Sequence, residues 1–161
     1  MTLRALLAAC ALGAGIGAVG HAAEPVTVTV RFIDARNGKP YSRWKGPFQV
    51  SFYKADPGKV GNLRGEYDAN YLGTARPVLN PNAEISFTLP NPAPGAIVLD
   101  SAVMVGCGPA FFEAKEVVEK GVVGKNECRT KFAKENGTFE AKPGEIIYFV
   151  APLSFWEGVF H

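Results

Sequence analysis

Histidine is nearly missing from this chain of 161 residues, which carries only His21 and the C-terminal His161. A hydrolytic triad needs an imidazole base held in place by a third group, and a terminal residue is poorly placed to supply one. A zinc site draws several ligands from His and Cys, and two His with three Cys leave little to build it from. No catalytic residue, metal or cofactor is therefore expected. An excess of charge of one sign is lacking as well. The 17 Lys and Arg stand against 15 Asp and Glu, a balance that leaves no electrostatic footprint for nucleic acid or an anionic membrane surface. Long apolar runs are also wanting. The longest uncharged apolar stretch, Ala5 to Gly20, is 16 residues, short of the roughly 20 that a membrane span requires. There is no internal repeat and no low-complexity tract.

What is there begins with that stretch. Met1 to Arg4 is a short positive start, the apolar run follows, and His21-Ala22-Ala23 gives way to Glu24-Pro25. This is the layout of a secretory signal peptide. Gly20 and Ala22 supply the small residues for a cut after Ala22, giving a signal over 1–22 and one domain over 23–161. Leu7-Ala8-Ala9-Cys10 offers a rival, in which Cys10 carries a lipid, but only five apolar residues precede that cysteine. The expected location is the periplasm or the extracellular space, with no stable membrane span in the mature chain. Once Arg4 is removed, 16 Lys and Arg face 15 Asp and Glu. Two cysteines then remain, Cys107 and Cys128. An even count in an exported protein points to a disulfide between them. A thiol redox role is the alternative, but such sites use C-x-x-C, and these two lie 21 positions apart.

The mature region reads as strands punctuated by turns. Val26, Val28, Val30 and Phe32 alternate with polar residues, as do Phe48, Val50 and Phe52, and again Ile85, Phe87 and Leu89. That period of two marks half-buried strands. Asn37-Gly38-Lys39-Pro40 and Asp56-Pro57-Gly58 are turn formers. Tyr71 to Ala75 is a shorter strand candidate. Ala96 to Val105 reads as one buried strand ending near Cys107. Residues 112–120 are the helical candidate, with Lys115/Glu119 and Glu116/Lys120 at i,i+4 spacing and Gly121 as C-cap. Phe111, Ala114, Val117 and Val118 would form its inward face. In Glu145 to Leu153 both faces are apolar, which predicts a central strand. Short strands, frequent Gly and Pro and a single helix indicate an all-β two-layer sandwich.

Val28 to Asp34, the turn Gly38-Lys39-Pro40 and the following Phe48-Gln49-Val50-Ser51-Phe52 resemble the opening of carboxypeptidase-regulatory-like, or transthyretin-like, domains. Ile85-Ser86-Phe87-Thr88-Leu89-Pro90 is similar to a later strand of that fold. The resemblance covers residues 26–105. It implies a transthyretin-like (Ig-like) β-sandwich of about seven strands, with the helix and the disulfide inserted before the last strand. The remainder, from Gly106-Cys107 through Cys128 to Trp156, resembles small exported bacterial proteins of unassigned role. Domains of this kind serve as accessory or binding modules.

Candidate chemistry is sparse. Glu113, Glu116 and Glu119 could in principle pair as a glycosidase needs, but a solvated helix face has the same spacing. Asp34 and Asp68 read as turn formers. The better candidates are aromatic. Tyr41 and Trp44 share the loop over residues 36–47, where flat rings could stack on a sugar while Arg43 and Lys45 supply hydrogen bonds. Phe155, Trp156 and Phe160 would pack the last strand onto the sandwich or dock a partner. Asn136-Gly137-Thr138 fits a glycosylation acceptor, which a bacterial source would leave unused. The expectation is a non-catalytic exported binding or cell-envelope interaction module, with Tyr41 and Trp44 as binding residues and a carbohydrate or an envelope protein as partner. The alternative is a small extracytoplasmic enzyme, either a carboxylate hydrolase or a thiol-disulfide redox protein.

Overall fold

The structure, a computed structural model, describes residues 24–41, 43, 48–54, 69–100, 104–128 and 139–152. Among these residues it has nine strands and one short helix. Strands β1 (Thr27–Asp34), β2 (Gln49–Tyr53), β3 (Tyr71–Ala75), β4 (Glu84–Thr88) and β5 (Ala96–Asp100) come first. They are followed by β6 (Met104–Gly106), β7 (Phe111–Glu113), helix α1 (Ala114–Lys120), β8 (Val122–Val123) and β9 (Glu145–Pro152). One sheet has the order β4-β1-β9-β6, with β8 also paired to β9, and the other has the order β3-β2-β5-β7. This is a two-sheet β architecture with its core between the sheets, as the alternating patterns predict.

The alternation in β1 is what fixes its place. Val28, Val30 and Phe32 are buried toward the second sheet, while Thr27 is exposed and Thr29 and Arg31 are half-buried on the other side. β1 pairs antiparallel with β4 and parallel with β9. Ile85 and Phe87 of β4, and Ile146, Tyr148 and Val150 of β9, extend the same apolar layer. Val50 and Phe52 of β2, Ile97 and Leu99 of β5, and Phe112 of β7 meet it from the opposite sheet. Each large side chain buried in this way contributes roughly 1.5–3 kcal/mol.

β9 is apolar on both faces because both are covered. Its second face joins Ile147 and Phe149 to Ile33, Ala35 and Cys107, with Cys128, Phe139 and Ala141 packed over them. Cys107 and Cys128 form a disulfide, with their Cα atoms 4.9 Å apart. The buried Asn126 ties this covering segment to the end of β1 by donating from Nδ2 to the Ala35 carbonyl at 3.3 Å.

Two expectations need correction. Ala96 to Val105 is not one strand. Its first half is β5 in the four-stranded sheet, and Met104 onward is β6 in the five-stranded sheet. The chain leaves the four-stranded sheet after Asp100, the one charged and exposed residue of β5. A continuous apolar run fits either sheet, so periodicity gives no sign of the crossing. The helix also begins later than its composition suggests. Phe111–Glu113 pair with β5 as a strand, which buries Phe112 and leaves Phe111 45% exposed rather than on a helical inward face. Ala114 and Val117 are buried as expected. Lys115 and Glu119 approach to 4.0 Å, both largely exposed. Glu113 occupies the N-cap position with no side-chain cap bond, so packing rather than capping holds this short helix.

At one end of the sandwich the start of β1, the end of β4 and α1 come together. The opposite end gathers the last residues of β1, β5 and β9 and the residue before β2.

A candidate ligand pocket at the loop end

Between the sheets at that second end lies a cavity of about 140 Å³, lined by Phe32, Phe48, Leu99, Asp100, Gly106, Ala110, Tyr148 and Val150. Six of the eight lining residues lie in strands, and Phe48 and Ala110 each immediately precede one. Phe32 and Tyr148 sit opposite one another in the parallel β1–β9 register. Phe48 stands just before β2, its N–H donating to the Pro77 carbonyl at 2.9 Å. Its ring stacks on Phe32 with centroids 4.4 Å apart, and Tyr148 meets Phe32 edge-on at 6.2 Å. Both are ordinary aromatic geometries. Phe112 braces Tyr148 from behind at 5.8 Å.

The segment 106–110, of which Gly106 and Ala110 line the cavity, is held from several sides. The Cys107 N–H donates to Phe149 O at 2.9 Å, and the Leu99 N–H donates to Ala110 O at 2.7 Å. The Cys107 carbonyl accepts from the Glu127 N–H, and the disulfide anchors the same residue. Gly106 is the close approach that makes room for the phenol. A Cβ at that position would stand 1.9 Å from Tyr148 Oη, far inside van der Waals contact. The Tyr148 hydroxyl donates to the Gly108 carbonyl at 3.5 Å. Burial, and after it the Asp100 carboxylate, raise the pKa of this hydroxyl above the ordinary tyrosine value, so the phenol is neutral at physiological pH. Asp100, exposed at the end of β5, brings the cavity's formal negative charge.

The loop that carries the predicted binding residues leaves from the same end. Asp34 organises its first turn. Its carboxylate accepts from the Arg36 N–H and Nε at 2.9 Å each and from Nη2 at 2.6 Å. Gly38, with φ 70°, donates its N–H to the Asp34 carbonyl at 2.9 Å. The Arg36 guanidinium holds the Asp34 carboxyl below its usual range against the opposing effect of burial. The turn-former reading of Asp34 thus gains an ion pair between a buried carboxylate and an exposed guanidinium.

Tyr41 follows, its N–H donating to Phe32 O at 2.9 Å. Its side chain is only 6% exposed and belongs to the main core. Its ring therefore packs inside the sandwich rather than lying open on the loop. Trp44, Lys45 and Asp68 lie outside the described residues, as do the predicted signal, the 136–138 triplet and Phe155, Trp156 and Phe160. Glu113, Glu116 and Glu119 are exposed, with Lys115 and Lys120 among them, the arrangement of a solvated face. Among the described residues, no group of three or more His, Cys, Asp or Glu is arranged to hold a metal ion, and no helix is long and apolar enough to cross a membrane.

No family model, curated protein or solved structure matches this chain.

The pocket residues were hidden in the sequence for a physical reason. Phe32, Phe48, Leu99 and Tyr148 obey the same alternation as the packed core, and nothing local separates a residue that fills the interior from one that borders a gap at its end. Asp100 was the available sign, a carboxylate interrupting the apolar stretch from Ala96 to Val105.

Proposed function

We propose that this protein is a non-catalytic exported binding module of the transthyretin-like kind, which takes its ligand, a carbohydrate or a group on an envelope partner, at the loop end of the sandwich. The observation that carries this reading is the cavity bordered by Phe32, Phe48 and Tyr148, next to the root of the loop that leads to Trp44. Binding sites favour preformed apolar concavities with a few convergent polar groups. Here the walls are strands, and the polar groups are Tyr148 Oη and Asp100.

The family reading draws support from how its motif residues are used. Asp34 and Gly38-Lys39-Pro40 form the turn that ends β1, the chain then passes to β2 in the other sheet, and Ile85 to Thr88 lie along β1. Export draws support from the closed Cys107–Cys128 disulfide, since such bonds persist in oxidising compartments.

A glycan array and an envelope pull-down with the disulfide-bonded protein test the proposal. Capture of a defined ligand is expected, and Ala110→Phe, which fills the cavity from a partly exposed position, should abolish it with the fold intact. Trp44→Ala should weaken any sugar binding. Ligand capture indifferent to both substitutions would overturn the assignment of the site.

A further inference from the structure

We propose that Asn37 is a latent deamidation site, whose side-chain amide condenses with the Gly38 nitrogen when the turn over residues 34–39 opens and stays intact while that turn is closed. The inference is independent of the ligand pocket and of the binding-module reading.

The sequence supplies the reactants. Asn37 is followed by Gly38, which has no Cβ to shield its backbone nitrogen. That nitrogen, once deprotonated by hydroxide, attacks the Asn37 Cγ. A new C–N bond closes a succinimide ring, and the side-chain nitrogen leaves as ammonia. Water then opens the ring at either carbonyl, giving an aspartyl or an isoaspartyl residue. The sum is amide and water to acid and ammonia, with no change of oxidation state. Solvent provides both the hydroxide and the water, and Asn37 is exposed to it. Arg36 and Lys39 flank the pair and favour the negative charge that develops during the attack.

The structure sets two hydrogen bonds against each other. The Lys39 N–H donates to Asn37 Oδ1 at 2.9 Å, which polarises the amide in the manner of an oxyanion donor. The Gly38 N–H donates to the Asp34 carbonyl at 2.9 Å, so the proton that must leave first is already held. Polarisation speeds an attack only once the nucleophile exists, and none forms until the Gly38 N–H is released. The protecting bond therefore sets the rate. Its surroundings keep it closed. The Asp34 carbonyl also accepts from the Asn37 N–H at 3.2 Å, and the Asp34 N–H donates to Lys39 O at 2.8 Å. The Asp34 carboxylate adds its bonds to the Arg36 N–H and guanidinium. An isoaspartyl linkage would lengthen the main chain just ahead of Pro40, whose bridge to Ile33 ties the root of the loop to β1. Opening of this turn is thus recorded as a permanent chemical change.

The test incubates the disulfide-bonded protein in mildly alkaline buffer, with and without denaturant, and follows conversion by peptide mapping and mass spectrometry. Mapping separates this pair from the second one at Asn136-Gly137. Asn37 in the folded protein should convert at least about tenfold more slowly than in the denatured chain, which corresponds to a turn held closed by about 1.4 kcal/mol. The Gly38 amide should be protected from hydrogen exchange by the same factor. Asp34→Ala should raise the conversion rate and the Gly38 exchange rate together, by about fivefold. Arg36→Ala, at an exposed side chain, should raise both by a smaller factor, and it decides the matter should Asp34→Ala not fold. Equal conversion in folded and denatured protein would overturn the inference. So would variants that leave both rates unchanged, or that speed Gly38 exchange without speeding conversion.

Discussion

The Asp34 carboxylate shows how much one residue can organise. It is 7% exposed, its partner Arg36 is 43% exposed, and between them they close the turn from which the 36–47 loop departs. Such a pair makes stability depend on pH with a definite sign. Because Arg36 lowers the folded-state pKa of Asp34, the folded protein holds the charged form more tightly than the unfolded chain does. The stabilisation is therefore complete above the unfolded carboxyl value of about 3.9 and is lost as pH falls through the lower folded value. Charge-assisted hydrogen bonds are worth up to about 3 kcal/mol. With one partner this exposed, solvent screening reduces the expected contribution to about 1 kcal/mol. Asp34→Asn should cost that amount at pH 7 and flatten the acid limb of a denaturant-derived stability profile between pH 5 and 2. An unchanged acid limb would show that the pair contributes nothing. Asp34 was legible as a turn former because Asp, Asn and Gly cluster there. Its burial was not, since that depends on β9 arriving beside β1 from far along the chain.

At the level of elements, strands with one covered face could be read directly. The alternation in β1, β2 and β4 has a single physical cause, and their bounds agree with the sequence to within a residue or two. β9 could also be read as central, because only a strand covered on both sides can carry Ile146, Ile147, Tyr148 and Phe149 in succession. The failures occurred where two elements share one run of residues. Phe112 and Val117 both point into the core, one by strand geometry and one by helix geometry, and a window of nine residues blends the two periods.

The element most exposed to a single change is the end of α1. Gly121 has φ 78°, and its N–H donates to Val117 O at 3.0 Å. A Cβ there would stand 2.1 Å from the Lys142 carbonyl oxygen, which is backbone and cannot swing away. Gly121→Ala combines a positive-φ, extended-ψ conformation that costs a side-chain-bearing residue roughly 1–3 kcal/mol with a clash of similar size. Equilibrium unfolding should register a loss of about 2–4 kcal/mol, whereas Lys120→Ala on the exposed face should change stability by less than about 0.5 kcal/mol. Comparable effects from both would mean that the close approach between residues 121 and 142 is not part of the fold.

For the whole molecule, the disulfide joins stability to the shape of the pocket. It links the end of β6 to the segment after β8, enclosing β7, α1 and β8 within a loop that spans 21 positions. Closing a loop of this length lowers the entropy of the unfolded chain by the equivalent of about 3 kcal/mol, which is a large share of the 5–15 kcal/mol typical of a domain. The core between the sheets does not include either cysteine, so its packing is expected to survive reduction. The second cluster, built on Ile33, Cys107, Ile147 and Phe149, loses its anchor. The double substitution Cys107→Ser with Cys128→Ser should thus lower stability by about 3 kcal/mol and leave a folded sandwich. Hydrogen exchange should then separate two regions. The amides of Cys107 and Glu127, bonded to Phe149 O and Cys107 O, should exchange much faster than in the oxidised protein at the same pH. The ladder amides of β1 and β2 should stay among the slowest. Since Gly106 and Ala110, on either side of Cys107 in the chain, line the cavity, ligand affinity should fall with that local protection rather than with global stability. Uniform acceleration across both sheets would instead show that the disulfide supports the sandwich as a whole and that the pocket wall has no separate dependence on it.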